Sequence, residues 1–202
     1  LHPNKVVIYD ELEANEKVRW DWLLHSPVKF DINPAASILT TVNKEKGFSS
    51  VVQLFCEQEA AITQTDKYAA PPNHADAQRG EDFTDPWSLT ASFGPSRNNR
   101  ILTIIQVEAD GRQAVQIMRE GNTFRCGEWV IEAELNAKRP GRLYIRNSRN
   151  NAVFSYGDKK PEINGELYSC KEKDASVLFD CVNGEWTVQE MGDQRVQTMG
   201  KW

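Results

Sequence analysis

Apolar and polar residues alternate with a period of two along most of this chain, which is the signature of half-buried strands. In residues 18–25, Val18, Trp20, Trp22 and Leu24 fall on one face, while Arg19, Asp21, Leu23 and His25 fall on the other. An earlier apolar-rich run and the polar Glu13-Ala14-Asn15-Glu16-Lys17 precede this strand, so residues 5–26 predict a two-strand hairpin with a loop of a few residues. Each tryptophan carries on the order of 200 Å² of side chain, so the strand needs a second layer over it. Core packing is the first reading of Trp20 and Trp22, and a sugar-stacking platform is the second.

The same pattern predicts strands at 37–43 and 47–56, joined through Lys44-Glu45-Lys46, at 61–69, and at 88–94 followed by a turn from Pro95 to Asn99. In RILTIIQV (100–107), Ile101, Ile105 and Val107 share one face and Leu102 and Ile104 the other, so this strand should be covered on both sides. Turn dipeptides then mark hairpins. Asp110-Gly111 should lead into 114–120, and Gly121-Asn122 into a long strand at 123–135. Further strands follow at 141–149 and 152–157, and after Asn164-Gly165 at 166–172.

In SVLFDCVNGEWTVQEM, a turn at Asn183-Gly184 pairs Val182 with Glu185, Cys181 with Trp186, Asp180 with Thr187 and Phe179 with Val188. That register gathers Phe179, Cys181, Trp186 and Val188 on a core face. No amphipathic helix appears. The expectation is an all-β, antiparallel β-sandwich of about a dozen strands, in a single domain over 1–202.

Residues 70–87, APPNHADAQRGEDFTDPW, break the alternation with three prolines, four acids and a histidine. Long loops without periodicity often contact something outside their domain, although a surface loop or a cover packed through Phe83 and Trp87 is the plainer reading. Asp76, Glu81, Asp82 and Asp85 lack the spacing and turn glycine of a calcium loop.

A net charge of −5 argues against general nucleic-acid binding and against a surface that attracts heparin as a whole. No apolar run approaches the ~20 residues needed to cross a bilayer. Cys56, Cys126, Cys170 and Cys181 lack the close paired spacing of zinc sites. Three disulfide connectivities remain open, and free buried thiols are the plainer expectation. No motif implies a cofactor or a metal. Asp21 and His25 lie roughly 13 Å apart along a strand, too far for a direct acid–base pair.

Binding chemistry concentrates in KRPGRLYIRNSR (138–149), which holds Lys138, Arg139, Arg142, Arg146 and Arg149 and no acid. Alternation places Arg142, Tyr144 and Arg146 on one face and Leu143 and Ile145 on the other. A guanidinium fork matches carboxylate and sulfate, and an aromatic ring between two of them can stack on a sugar. Arg142, Tyr144, Arg146, Lys138 and Arg139 are therefore the candidate glycan-binding residues, against the alternative of a solvated basic face.

The succession YDELEA, VRWDWLLHSP, TDKYAAPP and RILTIIQV resembles the C-terminal β region of heparinase II/III-like polysaccharide lyases, most clearly over residues 5–108. The resemblance implies a parent with a helical toroid and earlier sandwich layers, cleaving uronic-acid-containing polysaccharides by β-elimination in the periplasm or outside the cell. The abrupt opening LHPNKVV agrees with a piece of such a parent. The family's catalytic and metal-binding motifs have no match among these residues. The expected role is thus a non-catalytic scaffold that partners the upstream helical and sandwich domains. A carbohydrate-binding module for anionic glycans is the alternative, and a homodimer interface a weaker third reading.

Overall fold

The computed structural model describes residues 1, 4–67, 86–109, 112–147, 152–158, 160–163, 166–170, 176–182, 185–190 and 197–201. All regular structure among them is antiparallel β, apart from one 3-10 turn at Pro34–Ala36. This is the all-β sandwich class that the alternation predicts. The chain divides into two compact units, Leu1–Ala114 and Val115–Trp202.

The first unit is organised by two very long strands. β1 (Lys5–Ser26) runs antiparallel to β6 (Trp87–Ala109) along nearly its whole length. Between them in sequence come β2 (Asp31–Asn33), β3 (Ile38–Asn43), β4 (Phe48–Phe55) and β5 (Ala61–Thr65). The sheet order is β1-β6-β4-β3-β2, with β5 pairing the other half of β6. β3 and β4 form the expected hairpin, with Asn43 opposite Phe48, and Asn43 Oδ1 accepts the Lys46 backbone N–H at 2.9 Å across its turn.

The hairpin expected within residues 5–26 does not form, and neither does the turn at Pro95–Asn99. The two polar stretches face each other instead: Glu13 lies opposite Asn98 and Val18 opposite Ser96, so residues 14–17 of β1 are matched by residue 97 of β6. Such extra residues make a bulge that bends both strands without reversing them. Residues 13–17 contain neither glycine nor proline to reverse the chain. Pro95, which cannot donate to a ladder, is tolerated at this irregularity.

The bend lets one sheet cover itself. Leu39, Val52, Leu54 and Ile101 from one half form a single core with Leu89, Ala91 and Phe93 from the other, and Trp20, Trp22, Leu24 and Trp87 pack against it half-buried. The alternation of 18–25 is therefore as read, with Trp20 and Trp22 on the core face; the Trp20 indole N–H donates to Ser96 Oγ at 3.0 Å beside the bend. Residues 99–104 are buried on both faces, as the two-sided apolar pattern requires, but the cover expected over 100–107 stops short of Val107, which is exposed. Arg100 lies directly opposite Glu11 and donates to it at 2.8 Å, which pairs a buried guanidinium with a part-buried carboxylate.

The second unit is an antiparallel meander. β7 (Ile117–Glu120), β8 (Thr123–Cys126), β9 (Trp129–Ala133), β10 (Leu143–Asn147) and β11 (Ala152–Tyr156) neighbour one another in turn. A small separate hairpin, β12 (Glu162–Ile163) and β13 (Glu166–Leu167), intervenes before β14 (Ser176–Val182), β15 (Glu185–Glu190) and β16 (Gln197–Lys201) complete the sheet.

Three expectations are corrected in this unit, the first being the strand over 166–172, which is regular only at Glu166–Leu167 and leaves Tyr168–Cys170 outside any strand. β7 pairs with β8 and not with β6, so the Asp110-Gly111 hairpin is not built, and the dipeptide itself lies outside the described residues. The single strand over 123–135 is two, reversed at Gly127, whose φ of 63° suits a residue without a Cβ. The β14–β15 register matches the reading residue for residue. Phe179, Trp186 and Val188 are buried with Val153 and Val177, and Cys181, Tyr168 and Cys170 pack on them. β16 had no clear alternation to announce it.

Candidate functional site

The candidate site is built on β10, because alternation gives that strand one buried face, Leu143, Ile145 and Asn147, and one open polar face. Leu143 and Ile145 are buried, while Arg142 and Arg146 are exposed and Tyr144 is half-buried between them. β9 places Glu132 directly opposite Tyr144. One wall of the site is therefore Glu132, Arg142, Tyr144 and Arg146.

The facing wall comes from the segment after β11. Gly157 has a φ of 76°, and a Cβ on it would lie 2.1 Å from the Gly141 carbonyl oxygen, so only glycine lets the chain double back this close to the start of β10. The returning segment brings Asp158, Lys160, Glu162 and Leu167 over the polar face. Together the two walls enclose an open cleft of about 560 Å³. That lies within the roughly 300–1,000 Å³ range of small-ligand sites.

The returning segment is fixed by bonds along its length. The Lys160 backbone N–H donates to Asp158 Oδ1 at 3.1 Å, and the Tyr168 N–H to the Pro161 carbonyl at 3.0 Å. The Tyr168 phenol donates to Glu190 Oε1 at 2.8 Å, and its ring meets Phe179 edge-on, with centroids 5.3 Å apart. The Cys170 thiol reaches the Asp158 carbonyl at 3.5 Å. These contacts tie the outer wall to the hydrophobic core.

Electrostatically the cleft is mixed. Arg142 lies 4.0 Å from Glu132 and 3.9 Å from Asp158. The Tyr144 phenol donates to the Glu162 carbonyl at 3.3 Å, and desolvation raises its pKa while the Arg146 charge works the other way. Among the described residues Arg146 and Lys160 make no ion pair. The lining holds three bases (Arg142, Arg146, Lys160) against three acids (Glu132, Asp158, Glu162), which sum to no net charge.

No family model matches the chain, and no curated protein matches it. The reading of the site accordingly rests on its geometry.

Of the five candidate residues, the structure brings Arg142, Tyr144 and Arg146 into the cleft and leaves Lys138 and Arg139 outside its lining. Lys138 is exposed, and Arg139 pairs with Glu134 at 3.4 Å. Glu134 also accepts the Asn136 N–H at 2.9 Å and the Asn122 amide at 3.2 Å. Desolvation works to raise Glu134, but those hydrogen bonds and the Arg139 charge together hold it below the ordinary glutamate range. Arg139 thus serves the loop after β9. Arg149 and the whole acidic group Asp76, Glu81, Asp82 and Asp85 lie outside the described residues.

Glu132, Asp158, Lys160, Glu162 and Leu167 are the lining residues that sequence reasoning missed. Glu132 is an alternating position whose partner strand could not be known in advance, and the others depend on the chain reversal at Gly157.

Asp21 has a structural role. Asp21, considered with His25, instead accepts from Ser92 Oγ at 2.6 Å and from Arg19 at 2.9 Å, and these interactions lower its pKa. None of the four cysteines forms a disulfide among the described residues. Burial pushes the Cys56 thiol up, which makes it a poor nucleophile. Among the described residues no group of three or more His, Cys, Asp or Glu side chains is placed to hold a metal ion, and no helix is long and apolar enough to cross a membrane.

Proposed function

We propose that this chain is a non-catalytic β domain that binds polysaccharide along β10. The observation that carries the reading is the cleft in which the Tyr144 ring lies between two guanidinium groups and within reach of carboxylates on both walls. A sugar ring offers a face that stacks on an aromatic and hydroxyls that both donate and accept, and this lining supplies partners of each kind. Retardation of the full chain in native gels containing hyaluronan, alginate, heparin or a neutral glucan tests it. The expected result is slowed migration with at least one acidic glycan, reversed by Tyr144→Ala. Unchanged migration in every gel overturns the proposal.

The wider setting is part of the same proposal: a C-terminal portion of a heparinase II/III-like lyase that acts by β-elimination, periplasmic or secreted, with this domain as scaffold. The motif succession over residues 5–108 supports it. The absence of residues matching the family's catalytic motifs supports the non-catalytic role. Incubating the chain with heparan sulfate, hyaluronan and alginate should produce no ultraviolet absorbance from unsaturated uronate, and turnover on any of them refutes that role.

A further inference from the structure

We infer that the cleft has a polarity: it takes a sparsely charged acidic oligosaccharide, with a single anionic group at Arg146 and uncharged, hydroxyl-bearing sugar at the Arg142 end. This rests on the glycan-binding reading above and specifies which glycans are bound and in which orientation.

The two arginines share a face but not an environment. Arg142 and Arg146 are four residues apart, about 13 Å along a strand. At one end Arg142 is flanked by Glu132 at 4.0 Å and Asp158 at 3.9 Å. A guanidinium between two carboxylates gains little from a third anion, and the carboxylate oxygens around it repel one. Those oxygens are instead acceptors suited to the hydroxyls of an uncharged ring.

At the other end Arg146 is exposed and makes no ion pair among the described residues, and its charge acts on the neighbouring Tyr144 phenol. Its fork is thus available to a carboxylate or a single sulfate, with the Tyr144 ring beside it for the sugar that carries that group. Lys160, exposed and also without an ion pair among the described residues, adds a second cation to the lining.

Charge counting then sets the density of the ligand. A heavily sulfated chain would bring an anion to the Arg142 end, where Glu132 and Asp158 already stand, and would pass Glu162 on the way. An oligosaccharide that alternates a charged with an uncharged ring meets no such opposition. Affinity should therefore not climb with ligand charge, unlike that of a uniformly basic site.

Calorimetric titration of the full chain with three tetrasaccharides tests this: hyaluronan, its carboxyl-reduced analogue, and heparin. The expected order has hyaluronan about tenfold or more tighter than the reduced analogue, the ratio for one charge-assisted hydrogen bond, and at least as tight as heparin. Arg146→Ala should collapse the hyaluronan-to-reduced ratio to near one, whereas Arg142→Ala should weaken both ligands together and keep the ratio. Arg146→Lys, matched to the wild type by its urea midpoint, should restore part of the ratio.

Heparin binding tighter than hyaluronan overturns the inference, as does an equal effect of the two alanine variants on the ratio. In either case glycan binding itself stands. Absence of binding to all three ligands overturns both the inference and the glycan-binding reading.

Discussion

Replacing Gly157 by alanine probes how the cleft is built, and Gly121 supplies the matching control. Both glycines have positive φ, 76° and 61°, so an alanine at either meets the left-handed penalty of roughly 1–2 kcal/mol. The surroundings differ. A Cβ on Gly121 finds nothing within 4 Å, whereas one on Gly157 lies 2.1 Å from the Gly141 carbonyl oxygen. Contacts under 3.0 Å are essentially never seen, so two backbone segments must part by at least 0.9 Å (3.0 − 2.1).

Forcing an extra carbon into a filled site costs typically ~1–3 kcal/mol. Gly121→Ala should then lose about 1–2 kcal/mol and Gly157→Ala about 2–5 kcal/mol, sums that follow from those two terms. With a urea slope of roughly 1–3 kcal/mol/M, the two midpoints should be clearly separated in urea unfolding followed by tryptophan fluorescence. Hydrogen exchange should show the added loosening at the β10 and β11 amides. Equal midpoints for the two variants would refute the close approach of residues 141 and 157, and with it the shape of the cleft.

Trp22→Ala should cost about 3 kcal/mol, the low end for loss of a large core aromatic, because the indole packs on the first unit's core while half-buried; an unchanged melting temperature with loss of sugar binding would make this face a stacking platform instead. Tyr168→Phe should cost roughly 1–3 kcal/mol, since the buried Glu190 loses its phenol donor, and thermal unfolding that matches the wild type would contradict it. Glu134 should titrate below the ordinary glutamate range. The order it lends the 134–139 loop is then present above the unfolded-state value and lost as pH falls through the lowered folded-state one. Amide shifts of that loop followed down in pH, if they move at an ordinary glutamate value, would count against the arrangement.

What could be read from the sequence was local. Period-two alternation identified the faces of residues 18–25, 143–146 and 177–188, and the Asn-Gly dipeptide set the β14–β15 register because a two-residue turn leaves no freedom in pairing. The errors came where local polarity has two structural outcomes. Glu13–Lys17 and Pro95–Asn99 each look like a turn alone, yet opposite each other they form one shared bend in a long ribbon. Neither stretch carries information about the other, some 80 residues away.

The candidate site was half legible for the same reason. Arg142, Tyr144 and Arg146 belong to one strand face, which alternation fixes. Asp158, Lys160 and Glu162 reach them only through a chain reversal that depends on two glycine backbones meeting. Lys138 and Arg139 looked like part of the same basic group because they are near in sequence, but the turn before β10 sends them elsewhere, and Arg139 answers Glu134.

The central claim is that glycan binds along β10, and a map of amide shifts on titrating the full labelled chain with hyaluronan tetrasaccharide tests it most directly. Binding in the cleft predicts that the signals of residues 142–146, 158 and 160–162 move together and saturate along one isotherm, while those of residues 18–25 stay in place. Shifts concentrated at Trp20 and Trp22, or none at saturating ligand, would contradict it.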